Sequence, residues 1–162
     1  MGFSIECICL DVMHVMDLGV SQYLVGMVFR RLIENNVAGS THEHIEVRRF
    51  HNIKYLRRRL TKFYGEGVKA RGTMSAIGRL TLKMLGSLST PVLHSKAAEC
   101  RNLVPLMVEL CTESYDYLGE GAVHLKLCAE SLDSFYRAMG KDQPRWMSQE
   151  QLRNLQLSML RF

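Results

Sequence analysis

Asp11 and His14 are the residues whose types and spacing in this chain point most directly to chemistry. They read D-x-x-H at the junction between a short run, residues 3–10, and a segment whose apolar positions recur at three and four. A carboxylate at the C-terminal end of a strand lies at a sheet edge, where α/β folds place ligands, and a His one helical turn later shares that side. Such a pair suits a hard divalent cation, with Asp11 supplying an oxygen to Mg²⁺ or Mn²⁺ and His14 ligating or positioning a neighbouring group. Without a metal, Asp11 caps the following helix and His14 is a satisfied polar residue.

The segment continues as Leu10-Asp-Val-Met-His-Val-Met-Asp-Leu-Gly-Val20, then Tyr23-Leu-Val-Gly26. It resembles the stretch around the second catalytic acid of DDE-type cut-and-paste transposases, which have an RNase H-like core. Residues 77–84 (Ile-Gly-Arg-Leu-Thr-Leu-Lys-Met) and 96–105 (Lys-Ala-Ala-Glu-Cys-Arg-Asn-Leu-Val-Pro) are similar to later pieces of the same group. The resemblance implies that Asp11 is the second metal-binding carboxylate and that His14 is its catalytic companion. It divides the chain into a core remnant at 1–36, strand plus helix, and a helical insertion-like region at 37–162. The family's first Asp and its third acid have no evident counterpart here, Glu99 being the best internal candidate. Two-metal phosphoryl transfer needs several carboxylates around two cations, so the expectation is a transposase-derived fragment without catalytic activity, and with no cofactor unless the complete Mg or Mn site were present.

A second feature is electrostatic. Residues 48–62 hold seven cations (Arg48, Arg49, Lys54, Arg57, Arg58, Arg59 and Lys62), no acid, and interleaved aromatics at Phe50 and Tyr55. Such a helix offers contacts to phosphates and makes DNA the expected partner. Its alternative is a solvated face packed through Ile53, Leu56 and Leu60. The rival to the transposase reading is accordingly an all-helical binding module that contacts nucleic acid or an acidic protein and has no nuclease ancestry. His42 and His44 diverge on a helix and have no Cys pair nearby, so they read as surface residues rather than zinc ligands.

These residues need elements to position them. The 162 residues are 47% hydrophobic and 23% charged, with a net charge of +5, which is ordinary for a packed domain and excludes low-complexity disorder. Leu, Met, Arg, Lys and Glu are abundant and only Pro91, Pro105 and Pro144 interrupt them, favouring helix. The fold class read from the chain is mainly α, one short N-terminal strand at 5–10 followed by about six helices. The helices are expected at 13–35, at 41–64 with Thr41 as cap, at 73–88, at 95–117 with a kink or a break at Pro105, at 122–139 and at 149–160. Gly65, Gly67 and Gly72 mark the expected break after the second. No apolar run is long enough for a membrane span, and the first ten residues make a poor secretory signal, so an intracellular setting, the nucleus included, is expected. The five cysteines are read as free and mostly buried thiols.

Overall fold

The computed structural model of the chain describes residues 13–71 and 74–139, together with the helical positions Gln149, Glu150, Arg153 and Leu157. The strand expected at 5–10 and Asp11 lie outside these described residues. Within them the protein is mainly helical, with no strand.

The chain enters through a π-helical segment, Met13–Ser21, that continues as helix α1, Gln22–Glu34. Leu24, Val25, Val28, Phe29, Leu32 and Ile33 recur at three and four along α1, and all are buried, so the periodic pattern closes onto a core. Asn36 then takes a positive φ of 60°, a conformation Asn tolerates better than most residues, and turns the chain toward helix α2, Ile45–Arg71. Thr41 does not cap α2. The first turn hangs instead from the His44 carbonyl, which accepts the amides of Val47 and Arg48 at 3.1 Å each. Nor do Gly65 and Gly67 end the helix, because a helical glycine costs only about 1 kcal/mol relative to alanine and does not by itself stop propagation.

The helix expected at 73–88 does not form. Residues 74–96 are an irregular strap with one short 3₁₀ turn, Leu82–Leu85. Ile77, Leu80, Leu85 and Leu93 are buried along it, so their apolar character was legible while their helical spacing misled. The physical reason is that side chains on the flanking helices take its backbone groups. The Arg57 guanidinium donates to the Leu80 carbonyl at 2.9 and 2.6 Å, the Ile77 amide donates to the Tyr64 hydroxyl at 3.2 Å, and Asn102 donates to the Ser75 carbonyl at 2.9 Å. With those groups satisfied from outside, poor helix formers such as Ser75, Gly78 and Thr81 have no reason to coil. Gly86, at φ 63°, turns the strap back, and the Leu93 amide then reaches the Gln22 carbonyl at 2.9 Å. A Cβ on Gly26 would stand 2.5 Å from the Val92 backbone, so α1 and the strap approach as closely as glycine allows.

Helix α3, Ala97–Glu113, begins where the Lys96 amide donates to the Glu99 carboxylate at 2.9 Å. It runs through Pro105 without a break, although Pro105 has no N–H to offer the carbonyl one turn back. A 3₁₀ turn, Tyr115–Tyr117, and two glycines in the left-handed region, Gly119 and Gly121, lead into helix α4, Ala122–Ala138. Helix α3 packs on α4, on α1 and on the π-helical segment, while α2 lies against α1. Phe29, Leu32, Leu56, Leu103, Met107 and Phe135 meet in one shared core.

Candidate functional site

Helix α2 sorts the seven cations by the direction each faces. Successive residues turn by about 100°, so Asn52, Ile53, Leu56 and Leu60 form the buried stripe and positions 50, 54, 58 and 62 climb the opposite side. Arg48, Arg57 and Arg59 occupy the flanks between the two, and Arg49 lies in line with the buried stripe in the first turns of the helix. Arg49 forms ion pairs at 2.8 Å with both Glu34 and Glu46, which push its guanidinium further up, Glu34 most. Arg59 reaches across to α3, 2.5 Å from Glu113 and 3.5 Å from Glu109, and is likewise raised, chiefly by its hydrogen bond to Glu113. Arg57 holds the Leu80 carbonyl, and burial followed by the nearby charge of Arg79 lowers its value. Half-buried Arg48 keeps its Nε covered without a hydrogen-bond partner among the described residues.

Three cations remain on the outward side. Lys54, Arg58 and Lys62 are exposed and stand one turn apart, and among the described residues only Lys62 of the three has an acid near it, Glu66 at 4.0 Å with both groups exposed. Between Glu46 and Glu66 the helix carries no acid. Three of the seven cations therefore form a row, while Arg49, Arg57 and Arg59 are tied to partners inside the molecule. The run in the sequence carried no sign of that division, which depends on Glu34, Leu80, Glu109 and Glu113, residues 15 to 54 positions away.

The D-x-x-H pair is distributed differently. His14 is exposed on the π-helical segment. Among the described residues no group of three His, Cys, Asp or Glu side chains converges as a metal site. His42 and His44 are exposed in the turn before α2, the His44 amide donating to His42 Nδ1 at 3.3 Å. Glu99 uses its carboxylate as the α3 cap described above.

The functional type of residue that the sequence reading passed over is Asp17, the second acid of the D-x-x-H-x-x-D segment. Its side chain is 1% exposed. The Tyr136 hydroxyl of α4 donates to Asp17 Oδ1 at 2.6 Å, which leaves the Ser21 hydroxyl, 2.9 Å away, to donate to the tyrosine oxygen. Arg101 of α3 stands 3.7 Å from the other carboxylate oxygen. Burial first, and then the bond to Asp17, push the Tyr136 phenol far above its ordinary value, so it holds its proton. π-helical turns are rare and recur at sites where a side chain must be aimed, and here the turn brings Asp17 and Ser21 to the same tyrosine. The signal available in the sequence was an acid within an otherwise apolar stretch of Val15, Met16, Leu18 and Val20.

No protein-family model, no curated protein and no solved structure matches this chain. Among the described residues no helix is long and apolar enough to cross a membrane.

Proposed function

We propose that this protein is a transposase-derived helical module that binds nucleic acid through the outward face of α2. The observation that carries the reading is the row of Lys54, Arg58 and Lys62, exposed, one turn apart and free of acids between Glu46 and Glu66. Three cations with little internal competition attract a polyanion and release its counterions when it binds. The likeness of residues 10–26 to the second-acid segment of DDE transposases supports the ancestry, and it is the reason for choosing nucleic acid over an acidic protein as partner.

The test is a salt titration of binding to duplex DNA. Replacing Lys54, Arg58 and Lys62 together by Ala weakens binding and flattens the log-log salt slope by up to about 0.9 for each lost phosphate contact. Sequence preference stays as it was, because phosphate contacts carry no direct base information. Asp11→Ala leaves the titration unchanged in a metal-free buffer. Equal affinity of parent and triple variant across about 50 to 200 mM salt removes the proposal.

A further inference from the structure

The row of cations does not stand alone on its face. Phe50 lies one turn before Lys54 on the same side of α2 and is 55% exposed. A single exposed aromatic is unremarkable on a protein surface. This one heads a line of charges, and its ring lies 6.1 Å from that of exposed His51, tilted by 54°. His51 is itself held by a 2.9 Å hydrogen bond between its Nδ1 and the Ser40 hydroxyl, which fixes the neighbouring ring. Two planar rings thus open a strip in which cations follow at one per turn, over about 12 Å from Lys54 to Lys62.

Duplex and single-stranded nucleic acids would meet such a strip differently. Both offer phosphates to lysine and arginine. In a duplex the base faces are closed against one another, so an exposed ring beside the cations finds nothing to cover it. A single strand presents its bases, and an aromatic ring next to a basic track takes one by stacking regardless of base identity. Thr61 and Gly65, small and exposed, lie between the longer side chains, so among the described residues the row stays open along its length.

Resting on the nucleic-acid reading above, we infer that the outward face of α2 prefers single strands to duplex, with the phosphates along Lys54, Arg58 and Lys62 and one base stacked on Phe50. The preference comes from the ring, and the affinity common to both forms comes from the cations.

The experiment measures fluorescence anisotropy of a labelled oligothymidylate of about a dozen nucleotides and of the same strand annealed to oligoadenylate, in about 50 mM salt, with the full chain. The parent is expected to bind the single strand at least several-fold more tightly. Phe50→Ala should weaken single-strand binding about tenfold while leaving the duplex unchanged, and Phe50→Trp should restore the preference. Lys54→Ala with Arg58→Ala should weaken both forms alike. Since Phe50 is a surface residue, the circular dichroism of its variants should match the parent, and the duplex titration doubles as a check that the variant is intact. If the parent binds both forms equally and Phe50→Ala changes neither, this inference falls while the nucleic-acid reading stands. If the parent binds neither, both fall.

Discussion

The corner around Asp17 and the outward face of α2 use charge in opposite ways. At the corner a carboxylate is withdrawn from water and held by Tyr136, which Ser21 serves in turn, with Arg101 nearby. On α2 the cations at 54, 58 and 62 stay in solvent, and Lys54 and Arg58 have no acid within ion-pair distance among the described residues. A buried charge is tolerable only with good partners, so the first arrangement fixes how the π-helical segment sits on α3 and α4. An exposed cation adds little to folding, so the second leaves its charge available to a partner. Arg57 and Arg59 lie between these extremes on the flanks of the same helix, which makes α2 an internal control.

The largest effect separating the two regions should be alkaline. Burial raises Tyr136, Tyr64, Cys100 and Cys128, and pushes the Cys111 thiol from 9.0 up to about 12. Each such group binds its proton more tightly folded than unfolded. Its stabilisation is complete below the unfolded value and disappears as pH rises through the folded one. For Cys111 that window runs from 9.0 to about 12, so the melting temperature should fall steadily above about pH 9, and less steeply in Cys111→Ala. A melting temperature flat across that window would mean the interior is open to water. The same burial should protect Cys111 from alkylation below pH 9 until the chain is unfolded, as peptide mapping by mass spectrometry would show.

Next in size is Tyr136→Phe. It deletes the shortest hydrogen bond to Asp17 and should cost about 1.5–3 kcal/mol in urea unfolding. If the denaturation midpoint does not move, the corner is not what seats the π-helical segment. Arg57→Ala strands the buried Leu80 carbonyl and should cost about 1–2 kcal/mol. Arg59→Ala breaks pairs whose glutamates are half exposed, and should cost less than about 1 kcal/mol.

The smallest stability change belongs to the outward row. Lys54→Ala and Arg58→Ala should each leave unfolding within about 0.5 kcal/mol of the parent, although these are the substitutions expected to weaken nucleic-acid binding most. Measured in one series, Arg57 and Arg59 variants should lose stability more than affinity, and Lys54 and Arg58 variants affinity more than stability. A uniform loss of both along α2 would erase the comparison.

What the sequence determined by itself was whatever depends on neighbours within one or two helical turns. The apolar spacing placed helices at 95–117 and 122–139, within a few residues of α3 and α4, and one at 13–35, whose first nine residues form the π-helical segment and whose remainder is α1. Helical character, the basic composition of α2 and the buried free thiols at Cys100 and Cys111 were legible for the same reason. The candidate site was legible only as an inventory: seven cations were visible, and the row of three was not. Only the tertiary structure decided that residues 74–96 form a strap, because their carbonyls and amides are satisfied by Arg57, Tyr64 and Asn102 from other elements. It likewise decided that Asp17 is a buried anchor, through a tyrosine 119 residues further along the chain. The meaning of a polar side chain depends on which distant groups reach it, and local periodicity holds no record of them.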